Sequence, residues 1–393
     1  MTHLACTICG SSNVIPLIDI AGLPAFSNVL WHTRQDALNA PRGDIRLKSC
    51  LDCGHLFNAS FEPSLADYAQ DYDNSLHFSE RFQNYASALA DHLIERYRLR
   101  GKDIIEIGSG QGDFLKLLCL RGGNRGVGFD PSTARKPDIH NSDSDVVFVQ
   151  DYYSERYADW AADFICCRHV LEHIDDPIDF IRRLRRNIGN RTKTIVYIEV
   201  PNALFILRDL SIWDIIYEHC SYFCRSSLTK AFASSGFRTC DADEAYAGQF
   251  IYVEALPVPG ADEFATDAGN HAEPTVTYVP SFAAAYRAKI EAWQDRLSTW
   301  RTHDRRVVVW GAGSKGTSFL NMLKTSHQIE YVVDINPRKQ GKFIAGTGQK
   351  IIPPEFLREY RPDVVVVMNR IYEAEIRRRT VDLGLNVDLV CAA

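Results

Sequence analysis

Two segments built alike constrain this chain more than any other feature. IIEIGSGQGDFL around Gly108 and VVVWGAGSKGTSFLNML around Gly311 each run from an apolar strand-like stretch through closely spaced glycines into a helix-like one. A glycine-rich turn between strand and helix opens a parallel α/β unit, and the missing Cβ lets a ligand approach the backbone. From Asp103 such stretches alternate, as DIIEIGS, DFLKLLCLR, RGVGFD, ADFICCR, IDFIRRLRRN and TIVYIEV, and the alternation resumes with IEYVVDINP and DVVVVMN. That pattern predicts two parallel, doubly wound α/β units. The expected architecture is α/β, with a small stapled module over 1–65, a Rossmann-like domain over 66–260 and a second, smaller Rossmann-like domain over 261–393. The helical period of YASALADHLIERY leads into the first large domain. PVPGADEFATDAGNHAEPTVTY is the expected linker or flap, followed by an amphipathic helix from about Ser281 to Thr302.

A chain of 393 residues exceeds the usual size of one domain. With 46% hydrophobic and 24% charged residues, no block is compelled to stay unfolded. A formal net charge of -6 argues against general nucleic-acid binding, which needs clustered Lys and Arg in excess of nearby acids. The short basic run Arg182, Arg183, Arg185 and Arg186 reads as the solvated face of a helix. MTHLACTICG lacks an apolar signal region, and no stretch approaches the roughly 18 consecutive apolar residues of a membrane span. A cytoplasmic enzyme with neither nucleic-acid nor membrane partner is expected, as a monomer or weak homo-oligomer.

Of 11 cysteines, Cys6 and Cys9 form a C-x-x-C pair before Gly10, and Cys50 and Cys53 form another before Gly54. Four thiolates in paired knuckle turns match a closed tetrahedral zinc site, structural because no position is left for water. Four free thiols are the alternative, and His55 reads as an ordinary surface histidine rather than a further ligand.

In IIEIGSGQGDFL, Gly108, Ser109, Gly110 and Gly112 stand at the strand-to-helix turn, with Glu106 inside the strand. Such a turn alone is also compatible with a dinucleotide pyrophosphate at a helix N-terminus. Further residues sharpen the reading. Asp130 ends GFD, where a carboxylate can accept from the two hydroxyls of an adenosine ribose, and Asp151 ends VVFVQD. CCRHVLEHIDDP then supplies His169, Glu172 and His173 at the end of the next strand, although Glu172 and His173 could also cap a helix. The series resembles class I S-adenosylmethionine methyltransferases. The resemblance implies that Glu106, Gly108, Ser109, Gly110, Gly112, Asp130, Asp151 and His169 bind this cofactor.

After TIVYIEVPN comes RDLSIWDIIYEHCSYF, which gathers Tyr217, Glu218, His219, Tyr222 and Phe223 behind a late strand, where open α/β sheets build active sites. As residues alone, these are either catalytic or core. The cysteine pairs, the methyltransferase motifs, EHxxYF and the second α/β unit, including DINPRKQGKFIAGTGQKIIPPEFL, are similar in order to sugar C-methyltransferases acting on nucleotide-linked 4-keto deoxysugars, over essentially the whole chain. The resemblance implies His219 as general base with Glu218 orienting it or the substrate, Tyr72 and Tyr222 as hydrogen-bond donors to the developing oxyanion, and His173 as a further catalytic residue. Some members carry a catalytic tyrosine two residues before the Glu. Here that position is Ile216, and Tyr217 is displaced by one.

Gly311, Gly313 and Gly316 match G-x-G-x-x-G, with Asp334 about 20 residues on. Three readings stay open: Gly311, Gly313, Lys315 and Gly316 contact a sugar nucleotide, the unit is structural, or it binds NAD as in an oxidoreductase. Arg338, Lys339 and Lys342 are expected to be solvated. C-methylation of a nucleotide-linked keto-deoxysugar is the leading expectation, and O-methylation of a sugar or polyol is the alternative.

Overall fold

The alternation of buried and exposed side chains along VIPLIDIAGLP and RGDIRLKSC makes an antiparallel pair, β1 (Val14–Pro24) and β2 (Arg42–Cys50), extended by β3 (Leu56–Asn58). In this computed structural model the described residues are 5–65, 71–132, 145–259, 274–323 and 328–392. The expected boundaries at 65/66 and 260/261 fall at the edge of or outside these residues, as does 260–273 of the expected linker.

Continuous apolar runs, by contrast, form strands covered on both faces. These are β4 (Asp103–Ile107), β7 (Phe164–Arg168) and β8 (Ile195–Pro201), flanked by β5 (Arg125–Phe129) and the half-exposed edge strand β6 (Val146–Val149), all parallel to their neighbours in this group. The short β9 (Ser221–Tyr222) leaves this domain and pairs with β3, joining the amino-terminal sheet to the segment that follows β8. The next strands, β10 (Phe237–Ala245) and β11 (Phe250–Pro257), complete a seven-stranded sheet of order β10-β11-β8-β7-β4-β5-β6, with β11 antiparallel to both neighbours. The order reverses between β4 and β7, which opens a crevice at their carboxyl ends.

The last unit repeats the device. β12 (Val307–Trp310), β13 (Tyr331–Val333), β14 (Lys350–Ile352), β15 (Val364–Val367) and β16 (Asp388–Cys391) form an all-parallel sheet of order β14-β13-β12-β15-β16, reversing between β12 and β15. The fully buried VVVV of β15 is what a central parallel strand requires. Among the described residues, no helix is long and apolar enough to cross a membrane.

Two local expectations are corrected. The long helix runs over Pro274–Thr302, with Pro280 inside it, so it begins ahead of Ser281 despite the proline that reads as a breaker. In the basic run, Arg183 and Arg186 are exposed, but Arg185 is half-buried and donates to the carbonyls of Gly236, Gly189 and Val258. It ties the helix Pro177–Ile188 to the loops around β10 and β11 instead of facing water.

Candidate active site and cysteine cluster

The loop after β4 explains its glycines. Gly108 has φ 72°, and a Cβ there would lie 2.1 Å from Val170 Cγ2. Gly112, φ 73°, caps the helix Asp113–Gly122, where a Cβ would meet the Phe148 ring at 2.1 Å. Only glycine combines that backbone with that closeness. The loop faces a cavity of about 560 Å³ lined by Glu106, Gly108, Ser109, Gly110, Asp130, Asp151 and His169, so of the eight expected cofactor residues all but Gly112 reach one space. Asp130 Oδ2 accepts from Gly110 N at 2.7 Å and its Oδ1 from Ser132 N and Oγ, so the carboxylate is held at the end of β5. Burial pushes Glu106 up to about 8, against the pull of Arg168, and its Oε2 accepts from Leu115 N. Asp151 sits at the exposed edge, held by the Tyr157 hydroxyl and Tyr152 N. His169 takes a left-handed backbone, φ 57°, with Nε2 3.2 Å from Glu199 Oε1, and Glu199 is itself clamped by Arg168.

A second cavity of about 290 Å³ adjoins the first, and Tyr72, His169 and His173 line both. Its walls come from all three sheets' neighbourhoods: Asn28 from the amino-terminal module, Glu172, Ile216 and His219 from the middle, and Gly311, Gly313, Lys315, Gly316, Asp334 and Lys339 from the carboxyl-terminal unit. The imidazoles of His173 and His219 stand 4.9 Å apart, edge to face. His173 Nδ1 lies 3.0 Å from the Glu218 carbonyl, and since a carbonyl can only accept, that nitrogen carries the proton in the neutral ring. Burial lowers His173 to about 4 and holds His219 well below the ordinary histidine value, the latter helped by His173, His169 and Lys315. Both rings are therefore neutral near pH 7, with a lone pair to offer. Burial also raises Glu172 to about 8 and Glu218 to about 6.

Glu218 does not turn toward its sequence neighbour. Its Oε2 accepts from Ser27 N at 3.0 Å and it hydrogen-bonds the Tyr72 hydroxyl, so it fixes the amino-terminal module and Tyr72 against the site. The Tyr222 hydroxyl donates to Ile216 O at 2.9 Å and accepts from Ile216 N at 3.2 Å, clamping the backbone of the motif, and Tyr222 lines neither cavity. Ile216 itself faces the second cavity, while Tyr217 points into the amino-terminal sheet, where its hydroxyl accepts from Glu62 N at 2.9 Å. Tyr217→Phe is therefore expected to lower unfolding stability by about 0.5–1 kcal/mol, the net worth of one such bond, while leaving cofactor affinity unchanged; denaturant melts and calorimetry read the two separately.

Lys339 is a correction. It is 5% exposed, not solvated, and its Nζ donates to Asn28 Oδ1 at 2.9 Å and Ala312 O at 3.2 Å, joining the first and last units at the cavity wall. Its position just beyond the carboxyl end of β13 was the available signal. Asn28 had none, because nothing local in SNV ties it to a site formed with residues hundreds of positions away. Lys315 pairs with Asp214 at the same wall. Asp334 is engaged by Ala312 N at 2.8 Å and Asn336 N at 2.8 Å.

Cys6, Cys9, Cys50 and Cys53 converge with their sulfurs within 4.8 Å of one another, the Cys6–Cys53 and Cys9–Cys50 pairs at 3.6 Å. A tetrahedral ion with Zn–S bonds of about 2.3 Å separates its sulfurs by roughly 3.8 Å, so the residues present fit zinc. Both pairs are turned by backbone bonds, Gly10 N to Cys6 O and Gly54 N to Cys50 O. His55 is fully buried behind them, 4.9 Å from the Phe223 ring, and so is not the surface residue expected.

Residues 79–241 match the model of a methyltransferase domain, and residues 263–385 match that of a C-methyltransferase C-terminal domain. The C-methyltransferase NovU of Streptomyces niveus is 24% identical over 389 residues, covering 94% of this chain and 90% of that protein. Among solved structures, the DhpI complex with SAH is 22% identical, spans 45% of this chain and 88% of its own, and has a TM-score of 0.32. The CurJ carbon methyltransferase is 14% identical over 46% of this chain and 56% of its own, with a TM-score of 0.34.

Proposed function

We propose that this chain, an S-adenosylmethionine-dependent methyltransferase belonging to the C-methyltransferase family, methylates the carbon next to a ketone in a nucleotide-linked deoxysugar. The observation that carries the reading is the junction of the two cavities, where the neutral, half-buried His219 and His173 stand beside a wall shared with the cofactor crevice. The residues of the first cavity suit the cofactor: glycine backbone at Gly108 and Gly110, and a fixed carboxylate at Asp130 beside a space for a ribose. Bound there, S-adenosylmethionine supplies an electrophilic methyl group.

In this reading His219 accepts the proton from the carbon beside the ketone, and the electron pair of that C–H bond becomes the enolate. The Tyr72 hydroxyl, which donates to Glu218 and accepts from Asn28 Nδ2 at 3.5 Å, lines the same cavity and would have to turn its proton from Glu218 to the enolate oxygen as charge develops there. The enolate carbon would form the new C–C bond as the methyl group's bond to the cofactor's sulfur breaks and leaves its electron pair on sulfur, and the His219 proton leaves to solvent. Lys315, Lys339 and the Gly311–Gly316 loop form the far wall, where the nucleotide would lie. The four cysteines hold a structural zinc that fixes the module carrying Ser27 and Asn28.

Asp130→Ala should weaken S-adenosylmethionine binding about 10- to 100-fold, the loss of one or two charge-assisted hydrogen bonds, as read by calorimetry. The function itself is tested with 13C-methyl-labelled cofactor and a nucleoside diphosphate 4-keto-deoxysugar. The label is expected on carbon in the product's NMR spectrum; label on oxygen would replace this reading with O-methylation.

A further inference from the structure

Glu172, His173 and His219 each offer a ligand atom, all within 4.8 Å of one another, and all three side chains line the second cavity. Two features set this group apart from a chance meeting of polar residues. Glu172 is 2% exposed, and its Oε2 is buried without a hydrogen-bond partner, as is His219 Nδ1. A buried carboxyl oxygen with no partner is costly whether or not the group carries its own proton, and a cation that takes the proton's place removes that cost. Moreover, His173 gives its Nδ1 proton to the Glu218 backbone carbonyl, which leaves Nε2 as its lone-pair nitrogen. Metal-binding histidines are oriented by this same outer contact.

We propose that these three side chains form a binding site for a divalent transition-metal cation such as Zn2+ or Co2+, separate from the cysteine cluster. Two imidazoles and one carboxylate suit these ions, and bonds of about 2.0–2.1 Å bring ligand atoms to roughly 3.3 Å, within reach of side-chain rotation from the separations seen. The remaining coordination positions face the cavity, open to water or to an acceptor oxygen. The ion takes the His219 lone pair, so a filled site stops proton abstraction; this consequence rests on the base role given to His219, whereas binding does not.

The test uses full-length protein with its cysteine site already loaded, dialysed against increasing Zn2+, with metal counted per chain and methyl transfer assayed in parallel. One further equivalent should bind at micromolar free Zn2+, its affinity falling at least tenfold in Glu172→Gln and in His173→Gln but not in His32→Gln, a surface control. Retention of the first equivalent and of S-adenosylmethionine binding certifies that each variant folds. If neither variant folds, Co2+ added to the wild type decides: visible bands without the thiolate charge-transfer band place it on nitrogen and oxygen ligands. No second equivalent, a second equivalent that survives in both folded variants, or cobalt bound only through sulfur would overturn the site. Binding that leaves methyl transfer unchanged would uphold the site and count against His219 as base.

Discussion

His219→Gln should reduce methyl transfer by about 10²- to 10⁴-fold, the range spanned by a positioned general base, while S-adenosylmethionine affinity changes less than threefold. The split follows from geometry, because His219 lines the second cavity and not the first. Glutamine keeps a hydrogen-bonding group of similar reach but cannot carry the proton away. The pH profile follows with a definite sign. Burial disfavours the imidazolium, so the pKa of His219 lies well below the ordinary 6.5 and the base form persists as pH falls through that value. Wild-type kcat/KM should therefore hold steady across pH 6.5 and decline only in more acidic solution. A drop centred near 6.5, or a variant with unimpaired transfer, would remove His219 from the chemistry.

The second large effect is expected at the cysteine cluster. Cys50 is fully buried at the end of β2, and structural zinc contributes about 10–16 kcal/mol in small metal-folded units. Cys50→Ser removes a thiolate from a cluster of four, so the zinc proposed there should be lost, and with it the link between the first turn of the amino-terminal sheet and β2. Because that module carries Ser27, bonded to Glu218, and Asn28, bonded to Lys339, methyl transfer should fall at least 100-fold with it. Metal analysis by mass spectrometry and a thermal melt check the prediction. A variant that keeps a full equivalent of zinc and an unchanged melt would contradict it.

Much of this site could be read from short stretches. Glycines that follow an apolar run mark the loop after β4 because the constraint is local: left-handed backbone and a neighbour too close for a Cβ act within one turn. The cysteine pairs were legible for the same reason, since each C-x-x-C-G is a complete turn. What remained hidden depends on contacts between distant elements. Lys339 and Asn28 meet across 311 positions, and although the place of Lys339 after β13 hints at a site, nothing local names its partner. His55 lies beside a cysteine knuckle and looks like a loop residue until Phe223 covers it. The partners of Glu218 were equally unreadable: the resemblance implied that it orients His219 or the substrate, yet successive residues point in different directions, and its carboxylate meets Ser27 and Tyr72. The clamp made by the Tyr222 hydroxyl on Ile216 is short-range, but it depends on β9 turning the chain toward the amino-terminal sheet, a pairing with no sequence signature of its own.

The most direct test of carbon methylation at the cavity junction is solvent exchange in the absence of methyl transfer. A nucleoside diphosphate 4-keto-deoxysugar is incubated in D2O with protein and S-adenosylhomocysteine, and deuterium at the carbon beside the ketone is followed by NMR, with His219→Gln in parallel. Enzyme-dependent exchange that disappears in the variant is the expected result. A substrate that is methylated when S-adenosylmethionine is supplied, yet never exchanges that hydrogen, would contradict the enolate route and with it the assignment of His219.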